Sequence, residues 1–354
     1  MWPKFVTNFF LWTLVALAFV RPARAAIPNL GVHILHPEEM ADAARLIKTA
    51  DNRDRWTYVT MTLSLDDLSE HDRWQAAFRT ARRAHIQPIV RLVTQYDPSS
   101  DAWAIPTRGQ ILSYFDFLNS LTWPKSERYI IVFNEPNHAS EWGGQLDPAS
   151  YAATLRFTAA WAHTEPADYK VLPGAMDLAA PNGPDTWEAF HYLSGMLEAE
   201  PDLFAHLDAW NSHSYPNPAF SSSPTDTGQN KLSGYTYELA WLQERTGREW
   251  STFITETGWQ ATARTKKYLY DYYAYANEHI WNDEHILGIT PFVLRGDPGP
   301  FAGFSLLDRD SQPTLQYEAL ARQVERNALA WRQEYQDQLA HREAFIVQAA
   351  EILQ

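Results

Sequence analysis

Tyr129-Ile130-Ile131-Val132-Phe133-Asn134-Glu135-Pro136-Asn137 is the stretch on which the reading of this chain turns. Five consecutive apolar residues, β-branched or aromatic, stop abruptly at Asn-Glu-Pro. A strand that is apolar at every position, not at alternate ones, belongs to a parallel sheet covered on both faces. The same shape returns at Thr252-Phe253-Ile254-Thr255-Glu256-Thr257-Gly258-Trp259. Working outward, further strand candidates are Asn29–Ile34, Trp56–Leu63, Gln87–Thr94, Lys170–Ala175, Leu207–Ser212 and Leu287–Leu294. Segments of helical period lie between them: Pro37–Thr49, Asp66–Ala84, Arg108–Leu121, Ala149–Thr164, Pro184–Ala199, Leu232–Thr246 and Thr265–Trp281, with Leu315–Asn327 last. Asp66, Thr107 and Asp147-Pro148 supply helix-start signals. Eight strand–helix units predict an α/β fold, a closed (β/α)8 TIM barrel over residues 26–327. A doubly wound open sheet is the alternative, and it lacks its usual Gly-rich phosphate loop.

The two ends read differently. Met1–Ala25 has one early charge, an apolar run from Phe9 to Val20 and Ala23-Arg24-Ala25 before Ala26, the pattern of a cleaved secretory signal peptide. The run is short for a membrane span of about 20 residues, though an uncleaved N-terminal anchor is the alternative. A secreted or periplasmic protein without a membrane span in the mature chain is the expectation. At the other end, residues 328–354 contain neither Gly nor Pro and repeat Trp331, Tyr335, Leu339, Ile346, Ala349 and Leu353 at roughly helical spacing. This predicts a C-terminal helical extension, lying on the barrel or serving dimerisation.

Composition narrows the chemistry. The 354 residues include no cysteine, which removes disulfides, thiolate metal sites and a cysteine nucleophile. Twenty-nine Lys and Arg face 43 Asp and Glu, so no basic face for a nucleic acid is expected. In a barrel the chemistry sits on the strand ends and following loops. Glu135 and Glu256 each follow an apolar run at that mouth. Two such carboxylates suit glycosidic bond cleavage, in which the leaving oxygen is protonated while the anomeric carbon is attacked. Arg91 lies inside the apolar third strand and needs a carboxylate partner, Glu256 being the obvious one. His33 ends the first strand and is expected in the pocket. Trp259, Trp142 and Trp103, in loops after strands, are candidate platforms for flat sugar faces.

The pair Asn134-Glu135-Pro136 and Glu256-Thr257-Gly258-Trp259 resembles the signature of clan A glycoside hydrolases, retaining (β/α)8 enzymes, with features reminiscent of cellulase-like family 5 and of family 39. The resemblance runs in element order from about Gly31 to Leu320. It implies Glu135 as general acid/base, Glu256 as nucleophile and Asn134 as the hydrogen-bond partner of the sugar 2-hydroxyl. His213-Ser214-Tyr215 is similar to the His-x-Tyr of cellulase-like members, which implies that Tyr215 donates to Glu256 and that His213 contacts substrate or tunes the acid. One departure stands out. Many members end strand eight in tryptophan, whereas this chain has Thr290-Pro291-Phe292-Val293-Leu294; Phe301 or Phe304 are the expected substitutes.

The resulting expectation is a carbohydrate-active hydrolase of β-linked glycans needing no cofactor and no metal. Alternatives on the same residues are a non-catalytic glycan-binding barrel and a transglycosylase or trimming enzyme of exopolysaccharide export. A metal-dependent hydrolase would want His-x-His on strand one, and His33 and His36 have the wrong spacing.

Overall fold

The computed structural model describes residues 26–352; the predicted signal peptide lies outside the described residues. Eight parallel strands form the centre: β1 (Val32–Ile34), β2 (Thr57–Leu63), β3 (Ile86–Leu92), β4 (Glu127–Val132), β5 (Asp168–Pro173), β6 (Trp210–His213), β7 (Thr252–Glu256) and β8 (Ile286–Ile289). Strands β1 to β5 pair in sequence order, as do β6 to β8. The ring closes through Gly31 N to Ile289 O at 2.7 Å and His33 N to Pro291 O at 3.1 Å. Between β5 and β6, Asp208 N donates to Val171 O at 3.0 Å, and its carboxylate accepts Val171 N at 2.8 Å.

Eight helices follow the strands: α1 (Met40–Ile47), α2 (His71–Arg83), α3 (Arg108–Ser120), α4 (Pro148–Ala162), α5 (Ala189–Ala199), α6 (Gly234–Thr246), α7 (Leu269–His279) and α8 (Leu315–Ile352). Alternation along each strand divides the core into two. Ile89, Ile131, Leu172, Ala209 and Phe253 meet inside the barrel with Tyr58, Tyr129 and Leu287. Their neighbours Val90, Ile130 and Ile254 point outward and join the helix side chains. The inner cluster plugs the barrel beneath the mouth, so polar groups at the strand ends rest on a dry floor.

Local signals behave as their chemistry dictates. Thr107 Oγ1 accepts Gln110 N and the Gln110 side chain accepts Thr107 N, a full capping box for α3. Asp147 Oδ1 takes Ser150 N at 2.9 Å ahead of Pro148. Asp66 does not cap α2: it opens a separate 3-10 turn, Asp66–Ser69, and α2 begins at His71. There Asp67 bonds Ser64 instead. Strand β8 stops at Ile289, short of the predicted Leu294, because Pro291 has no N–H for the ladder.

Helix α8 is continuous for 38 residues, about 57 Å at 1.5 Å per residue. It runs through position 327 without a break. Its first half rests on the barrel through Ala319, Leu320, Val324 and Ala328, and Asn327 exchanges side-chain hydrogen bonds with Asn277. Beyond that, Tyr335, Leu339, Phe345 and Ile346 are exposed, with Trp331 stacked on Tyr335. Among the described residues no helix is long and apolar enough to cross a membrane.

Candidate active site

Backbone geometry aims the first glutamate. After Val132 the chain leaves β4 through left-handed φ values at Phe133 (+67°) and Glu135 (+24°), a region that costs L-residues of order 1–3 kcal/mol each and persists only where surroundings enforce it. The enforcement is visible. Tyr151 OH donates to Val132 O and accepts Gly174 N at 2.7 Å. A Cβ on Gly174 would come within 3.1 Å of the carbonyl oxygens of Val132 and Phe133, so only glycine lets the strands approach here. Two residues past Glu135, the buried Asn137 donates to Asp177 O and Trp187 O and accepts Asp177 N.

Register brings the second glutamate beside its partners. His213 on β6 pairs directly with Glu256 on β7, and Arg91 on β3 faces the barrel interior with Ile89. Arg91 Nη1 donates to Glu256 Oε1 at 2.5 Å and to Asn134 Oδ1 at 2.7 Å. Tyr215 OH donates to the other oxygen, Glu256 Oε2, at 3.1 Å. His213 Nδ1 shares a 2.8 Å hydrogen bond with Glu135 Oε1 and stands 3.9 Å from Glu256 Oε2. Those two carboxylate oxygens are therefore no more than 6.7 Å apart, the sum of the two distances through Nδ1. His33 Nδ1 bonds Thr255 O at 3.1 Å and lies 3.7 Å from Glu256 Oε1.

The electrostatics of the two acids differ. Burial raises the Glu256 pKa, but His213, Arg91 and His33 outweigh it and hold it down at about 2. Burial, and then Arg91, lower the His33 pKa to about 3, so this histidine is neutral and the permanent cation is Arg91. Burial opposes charge on His213, yet Glu256 and the bond to Glu135 raise its pKa overall. Tyr215 is raised well above 10, by burial first and by Glu256 next, and remains a donor. The Glu135 side chain is 23% exposed against 11% for Glu256. One carboxyl is thus a fixed anion in the wall, and the other reaches into the opening.

Both acids, with Asn134, Arg91 and Tyr215, line a cavity of about 910 Å³. His33 and His213 stand behind its wall, fully buried. Two expected platforms are elsewhere. Trp142 is fully buried against Phe133 and Tyr151, and Trp259 packs on Tyr272, Tyr273 and Trp281 with its N–H on Ser222 O. Both indoles are large apolar bodies within reach of the strand–helix core, and burial there wins over exposure at the mouth. Trp103 does line the cavity, joined by Tyr96. Sequence reasoning missed Phe292, which lies on the cavity at the end of β8 where tryptophan was looked for, with its ring edge against His33 at 5.2 Å. Phe301 and Phe304 flank it. Glu141 and Asp177 were missed as well.

No protein-family model matches the chain, and no curated protein matches it in sequence. Solved structures do. A triple mutant of an endo-β-1,4-glucanase from Xanthomonas axonopodis pv. citri superposes with a TM-score of 0.56 at 16% identity, over 84% of this chain and 99% of that one. A second endo-β-1,4-glucanase from the same organism gives 0.55 at 16%, over 85% and 99%. Thermotoga maritima Cel5A with cellobiose gives 0.50 at 11%, over 83% and 97%. This chain has the (β/α)8 barrel fold of these glucanases. The superposed barrel accounts for nearly the whole of each glucanase chain.

Proposed function

We propose that this protein is a retaining glycoside hydrolase that cleaves β-linked poly- or oligosaccharides by double displacement. The observation that carries the reading is the bridge through His213 Nδ1, which brings Glu135 and Glu256 oxygens within 6.7 Å on one cavity. Retaining enzymes hold their carboxyls about 5–5.5 Å apart and inverting ones about 6.5–9.5 Å, and oxygens no more than 6.7 Å apart admit the retaining spacing.

The roles follow from the environments. Glu256, ionised and oriented by Arg91 and Tyr215, attacks the anomeric carbon. Glu135 gives its proton to the leaving oxygen, with His213 holding the carboxyl in place. Formation of the glycosyl ester neutralises Glu256, and Glu135, now a carboxylate, takes a proton from the water that releases the sugar. Asn134, fixed by Arg91, is placed beside both acids for the 2-hydroxyl. Phe292 offers an apolar face at the same point. The leader-like Met1–Ala25 supports export as the setting in which a glycan is met.

Glu256→Gln and Glu135→Gln are each expected to abolish turnover on a panel of β-linked polysaccharides and aryl glycosides read by product mass, with unchanged circular dichroism. Azide restoring Glu256→Ala with inverted product configuration would support the nucleophile. Near-normal turnover by either Gln variant would refute the assignment.

A further inference from the structure

One side of the cavity carries groups that double displacement leaves idle. Beyond β3 a hairpin pairs Tyr96–Asp97 with Ala102–Trp103, and its two rings meet edge to face at 5.5 Å. Gly143 N donates to Trp103 O at 2.7 Å, which seats the turn Ala139–Glu141 against the hairpin. Tyr96, Trp103 and Glu141 all line the cavity. The cations nearby are engaged elsewhere: Arg91 with Glu256 and Asn134, His138 with Asp177 at 2.9 Å, Arg73 with Glu38 and Asp67. Glu141 has no salt-bridge partner among the described residues, and burial followed by the Glu135 charge raises its pKa to about 7 against the opposing pull of Arg91, the Asn134 side chain and His138. A half-buried carboxyl with so raised a pKa is stabilised further as the anion when a cation arrives.

We infer that Tyr96, Trp103 and Glu141 form a subsite for a sugar unit bearing a protonated amino group, so that the substrate is a β-linked glycan containing free amino sugars. The inference rests on the glycosidase reading of the same cavity. An aromatic face attracts both the flat C–H surface of a pyranose and an adjacent ammonium, and the carboxylate supplies a charge-assisted hydrogen bond. A neutral hydroxyl or an acetamide at the same ring position supplies no charge.

The test uses the Glu256→Gln protein, so that binding is read without turnover. Calorimetry at pH 6 compares β-1,4-linked hexasaccharides of glucosamine, N-acetylglucosamine and glucose. The glucosamine oligomer is expected to bind about tenfold tighter or more, the weight of one charge-assisted hydrogen bond. Adding Glu141→Gln should bring that ratio back towards one, and Trp103→Ala should weaken all three. Equal or tighter binding of either uncharged oligomer, no binding of the glucosamine oligomer, or a ratio indifferent to Glu141→Gln overturns the subsite. If Glu141→Gln does not fold, the comparison of the three sugars decides alone. Wild-type hydrolysis of a neutral glycan, lost in Glu256→Gln, would leave the glycosidase reading standing while the subsite falls. Amino-sugar binding without hydrolysis of any glycan would do the reverse.

Discussion

Replacing Arg91 by methionine isolates the charge that holds the proposed nucleophile ionised. Glu256 has its pKa lowered from 4.5 to about 2, which corresponds to roughly 3 kcal/mol in favour of the charged form at 1.36 kcal/mol per pKa unit. Burial pulls the other way, and His213, Arg91 and His33 together supply the lowering. Without Arg91 the pKa is expected to rise by about one to two units, and Asn134 loses the donor that fixes its side chain. For a carboxyl with a lowered folded-state pKa, the stability it contributes is present above the unfolded value and is lost as pH falls through the folded one. The wild-type protein therefore loses this contribution progressively from about pH 4.5 down to pH 2, whereas Arg91→Met has a smaller one that is gone by its own, higher folded-state pKa. The assay is kcat/KM against pH from 1.5 to 8 on an aryl β-glycoside, with thermal melts at pH 3 and 7. The acid limb should move up by at least one unit, and the substitution should cost less melting temperature at pH 3 than at pH 7, because the interaction it removes exists only with the ionised carboxyl. Arg91→Lys keeps the charge and loses the planar donor geometry, so its acid limb should stay near wild type while kcat falls. An acid limb that does not move in Arg91→Met refutes the electrostatic account of Glu256.

Tyr215→Phe removes the donor to Glu256 Oε2 and is expected to cost about 10- to 100-fold in kcat/KM, the range for a hydrogen bond to a charged group, with KM little changed. Asn137→Ala leaves the Asp177 and Trp187 backbone groups without buried partners; a loss of about 2–4 kcal/mol, read as a shifted urea midpoint at constant m-value, is the expected outcome. A chain ending at Gln333 discards only the projecting part of α8 and should lose less than about 0.5 kcal/mol. Gel filtration of that chain tests dimerisation through the helix, which an unchanged elution volume would sink.

The sequence carried the barrel and the pair of acids because both follow from strands. A strand apolar at every position announces burial on both faces, and its first polar residue must lie at one end of the barrel. Glu135, Glu256, Asn134, His213 and Tyr215 were legible for that reason. Side chains in loops obey no such rule. Trp142 and Trp259 read as exposed because they lie in loops after strands, but a loop that folds back over the helices delivers its indole to the core. Phe292 escaped notice because the predicted eighth strand ran through it to Leu294, which made it a wall residue instead of a residue at the mouth. Glu141 sits in a 3-10 turn whose position depends on the hydrogen bond from Gly143 to Trp103, about 40 residues away in the chain, and no local pattern encodes it.

The asymmetry between the two acids is built by where their partners come from. Glu256 ends a strand flanked by β6 and β8, so neighbouring walls reach it from several sides: Arg91 from β3, His213 and Tyr215 from the end of β6, His33 from β1. Such convergence offsets the cost of burying a charge that would otherwise be neutralised. Glu135 lies one step beyond its strand, lifted by a left-handed backbone into the opening, and His213 is the side chain seen to bond it. A group so placed is open to whatever enters the cavity, whereas Glu256 is walled in. If the backbone at Phe133 and Glu135 were extended, Glu135 would continue the alternation of β4, with Ile131 and Phe133 on its side of the sheet. It would then share the environment of the wall, and two fixed anions would face each other with no acid between them. The turn after Val132 therefore does more than end a strand, since it decides which of two identical side chains is held in the wall and which one stands in the opening.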